Sequence, residues 1–298
     1  MNGHRRFLVV AGVLLASAML LSTPAAAQVD LSGAWAGVFH EDQPHRNPGA
    51  MLGDYAGLPI NDNARAFAEA WNASRNTVPE HQCQAHTAPY IERGPLNMRI
   101  WEERDPQTQQ IVAIHLDISN YQQRRTIWMD GRPHPSPNAE YTWMGFSTGE
   151  WEGDTLVVTT THIKQEWMDN RRNGVPQSDQ VKLTEHYFRH GNVLTQVTYQ
   201  DDPVYLSEPL VKTTNMLYSP RSQTPQQLLY PCEAVVEIAD QKRGAVPHYL
   251  PGENPFLGEF REMYGLPAIA TRGGAATLYP EFRDVLKANA QPPKAPSR

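Results

Sequence analysis

The feature that most constrains this chain is a series of short runs between residues 96 and 218, in which apolar and polar residues alternate. Turn-forming residues separate the runs at intervals of about ten residues, the spacing typical of strands in an antiparallel sandwich or barrel. The runs cover residues 97–102, 110–117, 123–129, 142–152, 155–162, 181–190, 193–200 and 210–218. A further strand is predicted earlier in the chain, around Trp35. The protein is therefore expected to be mainly β.

Two joints between these runs carry explicit hairpin signals. Asp130-Gly131 follows one run, and Gly153-Asp154 lies between two others. Short joints between consecutive runs favour an up-and-down strand order, and closing such a sheet removes its exposed edges. The sequence therefore predicts an antiparallel barrel.

Residues 1–27 have the order of a secretory signal peptide. Two arginines precede an apolar run at 7–21, and small residues follow up to Ala27. The apolar run is shorter than the ~20 residues that a membrane-spanning helix needs. The prediction is cleavage after Ala27, export to the periplasm and no membrane insertion of the mature chain. An uncleaved anchor is the alternative.

The chain has two cysteines, Cys83 and Cys232. In an oxidising compartment such a pair most simply forms one long-range disulfide. The alternative is a metal site, because His81, Cys83 and His86 bring two imidazoles and a thiol close together in sequence. The disulfide is the prediction, and no metal is assigned.

The charge balance argues against nucleic acid as a partner. The formal net charge is −6, and lysines and arginines are scattered along the chain, so a phosphate backbone would be repelled overall. The sequence has no Walker loop, dinucleotide fingerprint, nucleophile elbow or zinc-protease helix motif. No cofactor is therefore expected. The oligomeric state is not predicted.

Two segments lie outside the β pattern. Residues 61–75 place Ala64, Ala68 and Trp71 at near-helical spacing, which predicts one amphipathic helix. Residues 243–298 are rich in proline and are expected to form an irregular extension packed on the barrel, with a short helix near 280–289. The β domain is accordingly assigned to residues 28–242.

Two sets of residues resemble known families. Ser32-Gly33-Ala34-Trp35 is similar to the Gly-x-Trp opening of lipocalin-like barrels, in which the tryptophan closes one barrel end. The chain also resembles an uncharacterised family of exported bacterial proteins in the blocks MDGRPHP (129–135), WMG (143–145), STGEWEGDTLVV (147–158), EHYFR (185–189), DDP (201–203) and YPCE (230–233). It departs from that family at Phe146, where the family often has histidine. The resemblance implies a lipocalin-like barrel and export, and it implies no particular activity.

The first group of candidate site residues lies at the end of one predicted strand. Only one of Arg124 and Arg125 can face the interior, because neighbours alternate across a strand, and either could bind a carboxylate or phenolate of a substrate. His134, held between two prolines, is a candidate general acid or base, and Asp130 is a second candidate catalytic residue. The alternative is that Asp130 forms a turn and His134 lies on the surface.

The second group is aromatic. Trp143 and Trp151 share a strand face with two glycines and a serine, and Tyr141 lies beside them. Such a face can bind a flat apolar ligand, although it equally suits an ordinary core. All three are predicted as substrate-binding residues.

The third group is Glu185 and Arg189, which share one strand face. If that face points inward, the two would form a buried charged pair. Glu185 is predicted as a catalytic residue that abstracts a proton, and Arg189 as a substrate-binding residue; a purely structural pair is the alternative.

Two functions are compatible with these residues. The first is an exported, cofactor-independent lyase, isomerase or hydratase that acts on a small hydrophobic or aromatic molecule by proton transfer. The second is a periplasmic lipocalin-like protein that binds or carries an apolar ligand without changing it.

Overall fold

The computed structural model describes residues 29–38, 51–92, 97–119, 122–168, 173–220, 232–239 and 244–289. The predicted signal peptide lies outside these residues. Within the part of the chain so described, every helix is too short or too polar to span a membrane.

Strands dominate the described structure. They are β1 (Gly33–Gly37), β2 (Asn97–Arg104), β3 (Ile111–Ile118), β4 (Gln123–Trp128), β5 (Phe146–Glu152), β6 (Thr155–Thr161), β7 (Glu166–Trp167), β8 (Pro176–Gln177), β9 (Lys182–His190), β10 (Val193–Asp201) and β11 (Leu210–Tyr218). Each predicted run overlaps one of these strands. The helices are α1 (Asp62–Glu69), α2 (Pro79–Gln82), α3 (Ala88–Ile91), α4 (Glu259–Tyr264), α5 (Ala268–Thr271) and α6 (Phe282–Ala288), with 3-10 turns at Ala73–Thr77 and Ala275–Leu278.

Nine strands close into a barrel in the order β1-β11-β10-β9-β6-β5-β4-β3-β2, which confirms the predicted barrel. Eight of the nine neighbouring pairs are antiparallel, but β4 and β5 are parallel. The β4–β5 pair is therefore the one parallel contact in the otherwise antiparallel barrel that the sequence predicts. An odd number of strands cannot alternate in direction all the way round, so at least one pair must be parallel. A parallel pair needs a long crossover, which residues 129–145 supply.

The two ends of the barrel differ. We call the end that carries the β2–β3, β5–β6 and β9–β10 turns the hairpin end, and the opposite end the cap end. At the cap end, α1 buries Ala64 and Ala68 in a second hydrophobic core with Met168, Val175, Leu206 and Leu210. Residues 86–92 also enter this end, and Ala88 and Ile91 are buried in the main core.

The helix predicted over 61–75 is correct only in its first half. Asn61 caps α1 by accepting a hydrogen bond from the Ala64 amide at 3.0 Å. The helix ends at Glu69, and a separate 3-10 turn begins after Asn72, whose side chain accepts from the Ser74 amide. This local side-chain bond competes with a continuous helix.

The C-terminal extension contains short helices, including α6 where a helix was predicted. Its hydrogen bonds go to the cap-end segments. The Tyr249 amide donates to the Ala70 carbonyl, and the buried Asn254 side chain donates to the Glu69 and Trp71 carbonyls.

Candidate functional site

A cavity of about 600 Å³ opens at the hairpin end of the barrel. The residues that line it come from the β2–β3 turn, the end of β4 and the end of β5: Arg104, Gln109, Gln110, Ile111, Met129, Gly131, Gly149, Glu150 and Trp151. Trp151 is the one predicted substrate-binding residue among them. A volume of this size matches that of typical small-molecule pockets.

The chemistry of the cavity is mixed. Ile111, Met129 and Trp151 provide apolar and aromatic surface, and all three pack against the main core. Arg104 lies at the edge and is bonded to Glu102, so its charge is locally balanced. The indole Nε1 of Trp151 is buried and has no hydrogen-bond partner among the described residues. Such a site suits a flat, largely neutral molecule better than a highly charged one.

A buried polar cluster fills the barrel nearer the cap end. Arg125 faces inward and is 1% exposed. Its Nη1 donates to Glu92 Oε1 at 2.7 Å and to Glu185 Oε1 at 3.0 Å, while its Nη2 donates to the other Glu185 oxygen. The same guanidinium donates from Nε to Ser147 and from Nη2 to Thr160. All five donor hydrogens of the guanidinium therefore have an acceptor.

Two further donors complete this cluster. The Tyr187 hydroxyl and the Gln196 amide nitrogen each donate to Glu92 Oε2 at 2.8 Å. Gln196 also donates to Glu185 Oε1 at 2.8 Å. These side chains lie inside the barrel because β9 and β10 alternate buried and less buried positions.

The electrostatics of the cluster follow from one cation beside two carboxyl groups. Burial raises the pKa of Glu92, and this effect outweighs the opposing influence of Arg125. Burial alone would lower the pKa of Arg125, but Glu185 and Glu92 raise it well above its ordinary value. Burial likewise raises the pKa of the Tyr187 hydroxyl. The cluster therefore holds a firmly charged arginine beside two buried carboxyl groups, and burial works against the ionised form of Glu92.

His134 lies elsewhere, in the 129–145 crossover, where its side chain packs on the outer surface of the barrel. Its Nε2 and Nδ1 lie 2.9 and 2.8 Å from the hydroxyls of Thr148 and Thr161. Thr161 also contacts Nδ1 of His162 at 2.7 Å, and His162 Nε2 donates to the Ser136 carbonyl at 2.9 Å. This chain of hydrogen bonds fastens the crossover to β5 and β6.

The direction of these hydrogen bonds follows from the Ser136 carbonyl at one end of the series. A carbonyl only accepts, so Nε2 of His162 carries a hydrogen, and in the tautomer with this single hydrogen Nδ1 accepts from Thr161. The Thr161 oxygen then accepts from Nδ1 of His134, whose Nε2 accepts from Thr148. Burial lowers the pKa of His134, and the nearby His162 and Lys182 lower it further. His134 is accordingly held neutral in a structural network.

The remaining predicted residues of the first two groups lie outside or at the margin of the barrel. Arg124 faces outward and pairs with Asp117. Asp130 pairs with Arg132, whose hydrogen bonds lower the pKa of this carboxyl. The other two aromatic residues have local partners: Tyr141 packs beside His162 with ring centroids 5.0 Å apart, and Lys164 lies 5.1 Å from the centre of the Trp143 ring.

Arg189 does not pair with Glu185, so the predicted Glu185–Arg189 pair is wrong. Both residues lie on the inner face of β9, but Arg189 is near the hairpin end and donates to the carbonyls of Gly191 and Asp30. Arg125, on β4, takes its place as the partner of Glu185. Sequence spacing along one strand could not reveal this contact across the barrel.

Arg189 instead packs on Trp35 near the β9–β10 turn of the hairpin end. The indole of Trp35 is fully buried, donates to the Leu31 carbonyl at 2.9 Å and meets the Tyr218 ring edge-on at 5.4 Å. The Arg189 guanidinium lies 5.1 Å from the Trp35 ring centre. This arrangement agrees with the barrel-end role expected from the Gly-x-Trp opening.

Cys83 and Cys232 form the predicted disulfide, with their Cα atoms 5.5 Å apart. The alternative metal site needed the Cys83 sulfur, which this bond occupies. His86 instead places Nδ1 3.0 Å from Glu166 Oε1, and His81 places Nδ1 2.8 Å from Gln84. Over the described ranges, no group of three or more His, Cys, Asp or Glu side chains is arranged to hold a metal ion.

Three residues of the buried cluster were not predicted from the sequence as site residues: Tyr187, Gln196 and Glu92. Tyr187 lies two residues after Glu185 on β9, and Gln196 pairs with Tyr187 on β10. Strand alternation therefore places both side chains on the inner face. Glu92 gave no such signal, because it lies between the helical region and the first long strand. Only the path of residues 86–92 into the barrel brings it to Arg125.

Comparison with family models, curated proteins and solved structures found no match to this chain. The resemblance to the exported bacterial family therefore remains a hypothesis, while the closed β-barrel stands on the structure itself.

Proposed function

We propose that this protein binds a small, flat, apolar or aromatic molecule in the hairpin-end cavity and does not change it chemically. The observation that carries the proposal is the cavity of about 600 Å³, with Trp151, Met129 and Ile111 as its apolar surface.

The positions of the three predicted catalytic residues favour binding over proton-transfer catalysis, because none of them lines the cavity. An enzyme would need an acid or base that meets the substrate. Glu185 is fully buried and bonded to Arg125, and His134 lies on the outer surface with both ring nitrogens bonded. Asp130, held ionised by Arg132, is far from being a strong base.

We also propose that the protein works outside the cytoplasm, in the periplasm. Two observations support this location: a disulfide joins residues 149 positions apart, and the sequence begins with the pattern of a signal peptide.

The test is a titration with N-phenyl-1-naphthylamine, a neutral aromatic probe that fluoresces in apolar surroundings. We expect saturable binding to the wild type and at least about tenfold weaker binding to Ile111→Lys, which places a charge in the cavity. Val211→Lys is the matched control, because Val211 is 51% exposed on the outer face of β11, and it should bind like the wild type. Equal affinity of the wild type and Ile111→Lys, or no binding at all, would refute the proposal.

A further inference from the structure

A second cavity, of about 270 Å³, lies at the cap end beside α1, and we call it the cap-end cavity. Its lining comes from Phe67 on α1, from Trp71, Asn72 and Arg75 in and before the following 3-10 turn, and from residues 246–248 of the C-terminal extension. An apolar cavity of about 150 Å³ is already large enough to bind benzene. The cap-end cavity can therefore hold a molecule with one or two aromatic rings.

Hydrogen bonds attach the walls of the cap-end cavity to each other. The Tyr249 amide, directly after the lining segment of the extension, donates to the Ala70 carbonyl at 2.9 Å. The Asn254 side chain donates to the Glu69 and Trp71 carbonyls at 2.8 and 3.0 Å. The extension is thereby fixed to the end of α1, so the cavity is formed before a ligand binds.

Arg75 is the one permanent cation among the described lining residues, and these include no aspartate or glutamate. Its guanidinium lies 5.0 Å from the centre of the Trp167 ring, and its Nε has no hydrogen-bond partner among the described residues. Glu166 acts on it through its charge, but the two oxygens of this carboxylate bond to His86 Nδ1 and to the Thr87 amide. Within the described part of the chain, no carboxylate is therefore bonded to Arg75.

Partial burial of a guanidinium without a bonded carboxylate is unfavourable. It lowers the pKa of Arg75, against the opposing influence of Glu166. A ligand carboxylate beside the guanidinium would form charge-assisted hydrogen bonds, and these are stronger where the pair is partly shielded from water. The lining therefore fits a molecule that combines an aromatic body with one anionic group.

We propose that the cap-end cavity binds a small aromatic carboxylate, with the ring against Phe67 and Trp71 and the carboxylate beside Arg75. This site shares no lining residue with the hairpin-end cavity. The inference does not depend on the function proposed for that cavity, because the cation and the aromatic walls both belong to cap-end segments.

The first experiment is isothermal titration calorimetry with 2-naphthoate and with its neutral analogue 2-naphthamide. We expect saturable binding of 2-naphthoate to the wild type. Arg75→Gln removes the cation and should weaken the binding of 2-naphthoate at least about tenfold, while the affinity for 2-naphthamide changes by less than about twofold. Equal 2-naphthoate affinity of the wild type and Arg75→Gln, or no binding to the wild type, would overturn the site.

A pair of valine variants tests the charge of the site while Arg75 stays in place, and it decides the question if Arg75→Gln does not fold. Val246→Asp adds a carboxylate to the lining at a position that is 40% exposed, so the fold should tolerate it. Val236→Asp is the matched control, because Val236 is 74% exposed, does not line the cavity and gives the same change in net charge. We expect 2-naphthoate to bind Val246→Asp at least about fivefold more weakly than Val236→Asp. Equal affinity of these two variants would contradict the proposal.

The second experiment locates the bound molecule by hydrogen exchange in the wild type. Saturating 2-naphthoate should slow the exchange of amides in residues 70–78 and 246–250. The amides of residues 104–111 and 149–152, which border the hairpin-end cavity, should keep their rates. Protection confined to the hairpin end would show that 2-naphthoate binds in the other cavity, which overturns the cap-end site.

Discussion

Replacement of Arg125 by methionine tests whether this arginine is the counter-ion of the buried Glu92 and Glu185. The side chain keeps similar length and apolar volume, but the only cation of the buried cluster is lost. Glu92 and Glu185, both with fully buried side chains, then face each other without a counter-charge. Removing one partner of a buried ion pair typically costs about 3–5 kcal/mol, a large part of the ~5–15 kcal/mol by which most domains are stable.

The neighbouring residue supplies a matched control. Arg124 lies on the same strand but faces outward, and its side chain is 59% exposed in the pair with Asp117. Exposed ion pairs contribute only about 0–1 kcal/mol, so Arg124→Met should barely change stability.

The assay is urea unfolding followed by tryptophan fluorescence, with the free energy of unfolding extrapolated to water. The difference between Arg125→Met and Arg124→Met should be at least about 2 kcal/mol. Adding Glu185→Gln to Arg125→Met should recover part of the loss, because one of the two uncompensated carboxylates is then neutral. Equal stability of the two single variants would refute the assignment of Arg125 as a buried counter-ion.

Two other predictions concern the 129–145 crossover and the packing around Trp35. Because the folded pKa of His134 lies below its unfolded value of about 6.5, its neutral form stabilises the fold above that pH, and this contribution is lost as the pH falls below it. The stability of the wild type relative to His134→Gln, measured by urea unfolding, should therefore shrink between about pH 7 and pH 5; a constant difference would contradict this role. Gly33→Ala should cost about 1–3 kcal/mol in the same assay, because Gly33 has φ +138° and an added Cβ would lie 2.5 Å from the Tyr218 ring. Gly131→Ala, with φ +73° and nothing within 4 Å, should cost less, and the opposite order would be inconsistent with the packing at Trp35.

Much of the barrel can be predicted from the sequence because strand formation is largely local. Alternation with a period of two identifies both the strands and the residues that face inward, as for Glu185 and Tyr187. The same rule requires one of the adjacent residues Arg124 and Arg125 to face inward. That Arg125 is the inward one depends on the register of β4 against β3 and β5.

The candidate sites depended much more on tertiary structure. His134 is held between two prolines and was a candidate acid or base, yet the crossover between parallel strands places it on the outer surface against Thr148 and Thr161. The hairpin-end cavity is formed by residues from three separate segments, of which only Trp151 was predicted to bind a ligand.

The sequence by itself determined a mainly β chain, the approximate limits of its strands and the single pairing available to its two cysteines. These properties depend on residue type and short-range periodicity. The tertiary structure alone decided that nine strands close with one parallel pair, and that Glu92 enters the barrel to meet Arg125. The physical reason is that closure and burial bring together residues far apart in sequence, and no local pattern encodes which distant charge will compensate a buried one.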